Sequence, residues 1–287
     1  RCFMRPFLKW AGGKRQILAH IKQYINNDIM NENSKYYEPF VGGGSLFFDL
    51  ARDNSIINDF NSEIINVYKV IKEHPTGLIR MLKTHQKNDS IDYYYIVRNM
   101  DKDPKFSKMG KVKKAARTIY LNKTCFNGLF RVNRDGYFNT PRGNYTNPLI
   151  CDDENIREIS AFLNENNIQI LNGDFEESCP DAGEGDFVYL DPPYDYEDES
   201  GFVSYNAQGF TRKDLARMKL FCDRLIERGC VVLISNNDTT YVRELFDDDN
   251  YRIVYEINQV DANRNINSSG KKRANKVKEV LIYGTRR

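Results

Sequence analysis

The chain has 287 residues, 40% of them hydrophobic and 29% charged, and a formal net charge of +2. That length and composition exclude a disordered chain and suit one large domain, or one domain carrying an insertion. No apolar stretch reaches the length of a membrane span and no apolar block follows a basic start, so the sequence predicts a soluble, intracellular protein without a membrane partner.

In chain order, Ile17, Ile21 and Ile25 recur at i, i+4 and i+8 just after Gly12-Gly13 and predict a helix with one core-facing stripe. Short β-rich runs follow at 36–40 and 56–58. Glu38-Pro39-Phe40-Val41-Gly42-Gly43-Gly44-Ser45 overlaps the end of the first run, and its three glycines let backbone approach a ligand with no Cβ in the way. A dinucleotide loop would read Gly-x-Gly-x-x-Gly; Phe47 stands at the last glycine position, which argues against NAD. Asp59 lies fifteen residues beyond Gly44 at the end of the second run. There a carboxylate can accept hydrogen bonds from both hydroxyls of a ribose, or cap the helix that follows, and the two roles are compatible.

Between 67 and 160 the strand signal lapses into lysine-rich sequence with helix candidates at 76–85, 92–99 and 112–122. This block, 67–160, is predicted to be an inserted domain interrupting a first domain made of 1–66 and 161–287. Loop-like stretches at 127–136 and 141–145 follow its last helix candidate. Residues 105–145 hold ten basic side chains against one acid, Asp135, a local charge of +9. A polyanion responds to the patch within a Debye length of about 8 Å, so the chain average does not exclude nucleic acid.

The remaining strand candidates are 168–171, 187–190, 231–235, 252–257 and 277–283. Thr211-Arg212-Lys213-Asp214 reads as a capping box, and Leu215, Met218, Phe221, Cys222, Leu225 and Ile226 continue at helical spacing to a stop at Gly229. Strands alternating with such helices predict an α/β fold with a doubly wound, mostly parallel sheet, its ligands outside the carboxyl ends of the strands. Residues 174–199 hold eleven acids and no Lys or Arg. The acidic, turn-rich segment 195–209 is expected to form a lid, with Phe202, Tyr205 or Phe210 beside the ligand. The Asn-, Ser-, Gly- and Lys-rich stretch 264–273 suggests either a loop that contacts nucleic acid or a plain surface loop. Cys2, Cys125, Cys151, Cys179, Cys222 and Cys230 never form Cys-x-x-Cys, and His20, His74 and His85 lack ligand spacing, so no metal and no disulfide framework is expected.

Directly after the apolar run 187–190 stands Asp191-Pro192-Pro193-Tyr194. Two prolines fix φ and restrict the residue before each, so the turn is stiff before a ligand arrives. It can present Asp191 and the Pro192 carbonyl as two acceptors and the Tyr194 ring for stacking, a cradle for a flat, amino-bearing base. An ordinary strand-ending turn is the alternative.

With these residues in hand, nearly the whole chain resembles a Dam-type DNA adenine-N6 methyltransferase, with motifs in the order of the α group. Pro6-Phe7-Leu8-Lys9-Trp10-Ala11-Gly12-Gly13-Lys14 is similar to the family's opening motif, 39–44 to its S-adenosylmethionine loop and 191–194 to its catalytic tetrapeptide. The resemblance implies a Rossmann-like catalytic fold and S-adenosylmethionine as cofactor. It implies cofactor binding by Trp10, Lys14, Phe40, Gly42, Gly44, Asp59, Asp174, Phe175 and Asp191. Lys14 would either neutralise the cofactor carboxylate or position the flipped base. Asp191, Pro192 and Tyr194 become the catalytic residues.

The chemistry is consistent with this. A purine amine is a poor nucleophile because its lone pair is shared with the ring; two N6–H bonds, to Asp191 and to the Pro192 carbonyl, favour a pyramidal nitrogen aimed at a methyl donor. The amine is unreachable inside a duplex, so the base must be flipped out. By the same resemblance the insert is the target-recognition domain for double-stranded DNA, and its common site is GATC. Lys9 and Arg131 would read base pairs, Leu129 would wedge into the stack, and Asn127, Pro141, Arg142 and Tyr145 would complete the DNA contacts. The implied location is the cytoplasm, at the nucleoid. Whether a cognate restriction endonuclease is a partner stays open, as do two other readings: a methyltransferase of RNA or of protein amide nitrogen, and a non-catalytic DNA-binding module.

Overall fold

Strand β1 (Tyr36–Glu38) pairs in parallel with β2 (Ser55–Asp59) on one side and with β4 (Phe187–Leu190) on the other. Beyond β4 lie β5 (Val231–Asn237), β7 (Lys278–Arg286) and β6 (Ile253–Asp261). With β3 (Ile168–Asn172) the strands form a seven-stranded sheet in the order β3-β2-β1-β4-β5-β7-β6. β4 and β5 are parallel, whereas β7 runs antiparallel to both β5 and β6. The doubly wound, mostly parallel α/β sheet expected from the sequence is therefore present. Its winding direction reverses between β1 and β4, and the crevice at such a switch point is where open α/β sheets bind ligands. All four residues of β4 are buried, as a central parallel strand covered on both faces requires.

The structure is a computed structural model that describes residues 4–9, 15–25, 29–197, 209–247, 250–261 and 278–287. Trp10, Lys14, Phe202, Tyr205, the body of the expected lid and the stretch 264–273 lie outside the described residues. The helices are α1 (Arg15–Gln23), α2 (Ser45–Leu50), α3 (Ser62–Glu73), α4 (Pro75–Asn88), α5 (Ile91–Arg98), α6 (Lys111–Thr124), α7 (Asp153–Glu165), α8 (Arg212–Glu227) and α9 (Thr240–Phe246). The chain divides into two compact units. One is Arg1–Ala11, Gly42–Ala51 and Asn61–Asn172; the other is Gly12–Val41, Arg52–Phe60 and Gly173–Arg287.

In the first unit α6 is the central helix, with Ala115, Ala116, Ile119 and Tyr120 buried against α3, α4 and α5. Arg117 is 1% exposed, pairs with Asp101 at 2.9 Å and donates to the Val97 and Arg98 carbonyls. It therefore does not contribute to the basic surface that the count over 105–145 suggested. The cap of α3 is also a correction: Asn61, not Asp59, accepts the Glu63 and Ile64 amides. A cap must be the extended residue just before the first helical one, and Asp59 is still the last residue of β2.

In the second unit the Thr211–Asp214 capping box opens α8 as predicted, and α8 lies against β5 and β7. β1 ends sooner than the apolar run suggested, because Pro39 has no N–H to give to a ladder; Val41 N–H instead donates to the Asn58 carbonyl at 2.9 Å. No helix among the described residues is long and apolar enough to cross a membrane.

Candidate functional site

The predicted catalytic and adenosine residues of the second unit sit at the carboxyl ends of β1, β2 and β4 and in the turn after β3. Asn58, 2% exposed, ties three of these ends together. Its side-chain amide donates to the Pro39 carbonyl and to the Gly173 carbonyl, each at 3.0 Å, while Gly173 N–H donates to the Asp59 carbonyl at 3.3 Å. The residues that follow these anchors are Phe40, Asp59 and Asp174-Phe175. The Phe40 and Phe175 rings stand 5.4 Å apart at 30°, and Phe210 closes on both at 5.8 and 6.2 Å.

The Asp174 carboxylate caps a short 3-10 turn through the Glu176 amide and meets Arg217 bidentately at 2.8 and 3.0 Å. Burial works to raise its pKa, but Arg217 and the Glu176 amide outweigh that and hold the carboxyl below its usual range. Arg217 also lies over the Phe175 ring at 4.5 Å.

Asp191 is half-buried, and Pro192 and Tyr194 are buried. The Tyr194 hydroxyl donates to Glu279 Oε2 at 3.4 Å, which links the Asp191–Tyr194 turn to the first residues of β7. Beneath the turn, the Tyr189 hydroxyl is fully buried and hydrogen-bonded to Ser235 at 2.7 Å. Burial, then the charges of Asp191, Glu38 and Glu279, push its pKa well up, and Tyr36 is raised in the same way by burial and Glu38.

The segment after the turn is clamped. The Asp195 carboxylate accepts from Arg212 Nε and Nη2 at 2.9 and 2.8 Å and from Thr239 Oγ1 at 2.7 Å. Glu197 accepts from the Thr240 N–H at 2.7 Å. Asp195, the first residue of the expected lid, is thus joined by an ion pair to Arg212, the first residue of α8. Asn58, Glu279 and Arg212 were not singled out from sequence. Nothing local marks them, since each acts through a partner distant in the chain.

In the first unit, Gly42 and Gly44 have φ of 48° and 70°. The Tyr68 hydroxyl donates to the Gly42 carbonyl at 3.1 Å, and a Cβ on Gly44 would stand 2.5 Å from that hydroxyl. The glycine loop is therefore closed against Tyr68, and only glycine fits at Gly44.

The same unit gathers the predicted DNA residues around α6. Asn122, 7% exposed, accepts the Lys9 N–H at 2.6 Å and donates to the Lys9 and Gly128 carbonyls at 2.6 and 3.2 Å. Gly128 has φ 64°, and a Cβ there would meet Lys9 Cβ at 2.7 Å. Lys9 extends its ammonium over the Tyr145 ring at 4.1 Å, and the Tyr145 hydroxyl donates to the Cys125 carbonyl at 3.0 Å. Asn127, Leu129, Arg131 and Pro141 are exposed beside them. Arg131 Nε donates to Asn139 Oδ1 at 2.8 Å, which holds the guanidinium plane. Phe126, 39% exposed and next to Asn127, is an apolar member of this surface that the sequence reading passed over.

Arg142 is different. It is 12% exposed and bonded through both terminal nitrogens to Asp89 at 2.7 and 2.8 Å, and Asp89 also accepts from the Tyr120 hydroxyl at 2.7 Å. The guanidinium is occupied within the unit, raised in pKa by that carboxylate.

Comparison with known proteins gives a consistent answer. Residues 10–266 match the family described as D12 class N6 adenine-specific DNA methyltransferase. The chain is 42% identical over 284 residues to a type II methyltransferase of Lactococcus lactis subsp. cremoris, covering 98% of this chain and 96% of that one. It is 38% identical over 293 residues to a type II methyltransferase of Methanocaldococcus jannaschii, covering 97% and 98%. It is also 31% identical over 284 residues to the DNA adenine methylase of Escherichia coli, covering 96% and 94%.

Proposed function

Because the chain belongs to the D12 class N6 adenine-specific DNA methyltransferase family, we propose that it transfers a methyl group from S-adenosylmethionine to N6 of an adenine flipped out of duplex DNA, within GATC. Family membership sets aside RNA, protein amide nitrogen and a non-catalytic module. The observation that carries the finer reading is the position of the Asp191-Pro192 turn at the sheet's switch point, with Asp191 half-buried and Tyr194 tied to Glu279.

The residues present fit the cofactor. Phe40, half-buried, offers a ring face for its adenine with Phe175 packed behind it, and Asp59 offers two acceptor oxygens for its ribose. Gly42, Gly44, Trp10 and Lys14 join the cofactor set on their match to the family motifs. When bound, S-adenosylmethionine supplies an electrophilic methyl group on a sulfonium.

Asp191 and the Pro192 carbonyl each accept one N6–H, which localises the lone pair on nitrogen and directs it to that methyl. The same two acceptors stabilise the positive charge that would develop on N6 as the new N–C bond forms and the methyl's bond to sulfur breaks, leaving a neutral thioether, with no covalent enzyme intermediate. The methylated amine then releases one of its protons to solvent. Tyr194, its hydroxyl fixed by Glu279, offers a ring to replace the stacking that the flipped base loses.

Residues 67–160 form the target-recognition domain in this reading, and 1–66 with 161–287 the catalytic one. Lys9 and Arg131 contact base edges, Leu129 wedges into the stack, and Asn127, Pro141 and Tyr145 flank them. Arg142 serves the interface by tying its loop to Asp89. The type II names of two relatives support a restriction endonuclease as the partner of the same modification system.

Transfer of a tritiated methyl group from S-adenosylmethionine to duplexes with and without GATC tests this. Asp191→Ala is expected to lower turnover by about 10³-fold or more while cofactor affinity changes by less than about threefold. Near-normal turnover in that variant would overturn the mechanism.

A further inference from the structure

Strand β5 ends in Asn236 and Asn237, which are 0% and 3% exposed. Both grip the residue that follows the catalytic turn. Asp195 N–H donates to Asn236 Oδ1 at 2.9 Å, and Asn237 Nδ2 donates to the Asp195 carbonyl at 2.7 Å. Asn236 Oδ1 also accepts the Asn237 N–H at 2.9 Å. Two backbone donors on one atom determine which end of the Asn236 amide is oxygen, because an NH2 group in that place would face two further donors. Its Nδ2 is thereby held on the opposite side of the amide, and among the described residues it is buried with no hydrogen-bond partner.

A buried donor without an acceptor is costly, and native proteins carry few of them, mostly where a ligand or water completes the set. The position of this one is informative. Leu190 on β4 is level with Ile234 on β5 in a parallel pair. β4 ends there, and the Asp195–Asn236 hydrogen bond sets the Asn236 amide against the residue that follows Tyr194. Adenine has a ring-nitrogen acceptor on each side of the carbon that bears the amine, N1 on one side and N7 on the other.

Resting on the reading of Asp191 and Pro192 as the acceptors of the amine, we infer that Asn236 is a substrate-contacting residue whose Nδ2 donates to one of the two ring nitrogens that flank the amine of the flipped base. The base is then held by three groups: two acceptors that take the amine hydrogens and one donor that takes the adjacent lone pair. This triad matches adenine and not a base lacking the ring acceptor. Asn237 contributes by keeping Asp195, and with it the Asn236 amide, in register.

Duplexes carrying 1-deazaadenine or 7-deazaadenine at the target replace one acceptor at a time by C–H. Wild-type enzyme is expected to lose about tenfold in kcat/KM on one of the two analogues and little on the other. Asn236→Asp keeps the oxygen that serves Asp195 and Asn237 but exchanges the unpaired donor for an acceptor; Asn236→Ser removes the amide. Both variants should be slowed on adenine and show no further loss on the sensitive analogue. Undiminished wild-type activity on both analogues, or the same penalty in wild type and variants, would overturn the assignment. The wild-type comparison decides even if neither variant folds. Failure of the wild type to methylate adenine, or retained turnover in Asp191→Ala, would instead break the underlying reading, so the two failures are distinguishable.

Discussion

Asn58→Leu is the substitution whose cost follows most directly from the structure. The side chain is 2% exposed, and its Nδ2 donates two hydrogen bonds of 3.0 Å to the Pro39 and Gly173 carbonyls. Leucine keeps the volume and removes both donors. Each hydrogen bond contributes about 0.5–1.5 kcal/mol net, and each carbonyl left dry adds a fraction of its desolvation cost, so the loss is about 2–4 kcal/mol. That is a large share of a typical stability of about 5–15 kcal/mol. The functional loss is separate, because Phe40, Asp59 and Asp174-Phe175 each directly follow one of the three residues that Asn58 ties together. Freeing them should raise the S-adenosylmethionine Kd by about tenfold or more, while cofactor-free DNA binding changes by less than about twofold. Urea unfolding and isothermal titration read the two effects. A variant within about 0.5 kcal/mol of wild type in unfolding and within about twofold in cofactor affinity would refute the reasoning.

Arg131→Ala should cost about 1–3 kcal/mol of specific binding and relax discrimination at one base pair, measured by competition among single-substituted sites; uniform weakening would make Arg131 a phosphate contact. Arg117→Met strands the Asp101 carboxylate, 9% exposed, and should destabilise by about 3–5 kcal/mol in urea. The salt dependence of DNA binding should stay unchanged, because Arg117 neutralises Asp101 and not phosphate; a reduced slope would place it in the interface. Burial, with Lys113 nearby, lowers His85 from 6.5 to about 4. The unfolded chain therefore takes up a proton on this residue that the folded chain refuses. Stability is fully present above about 6.5 and falls as pH drops toward 4, by at most about 1.4 kcal/mol per unit. His85→Gln should flatten that part of the stability curve; parallel curves for variant and wild type would exclude His85 as the cause.

The features legible in advance were local ones. Four apolar residues before two prolines specify a buried strand with a rigid exit, and β4 with its turn occurs where the pattern put it. Thr211 and Asp214 form their capping box within one helical turn. Helices α2 and α9, of six and seven residues, are too short for a periodic stripe to mark them, whereas α3 and α7 carry full apolar faces that the sequence reading passed over. The sequence count also treated every basic residue of 105–145 as surface, whereas Arg117 is buried on Asp101 and Arg142 is paired with Asp89.

By itself the sequence determined the α/β alternation, the glycine loop, the stiff Asp-Pro-Pro-Tyr corner and the basic character of the middle third, because periodicity, proline stiffness and net charge are properties of neighbouring residues. Only the tertiary structure decided that β7 inserts between β5 and β6, that Asn58 joins three strand ends, that Glu279 holds Tyr194, and that Asn236 keeps a buried donor while gripping Asp195. Hydrogen-bond and ion-pair partners are chosen by proximity in space. Asn58 and Gly173 are 115 residues apart, Tyr194 and Glu279 85, and no local pattern records which pairs the fold will bring within 3.5 Å.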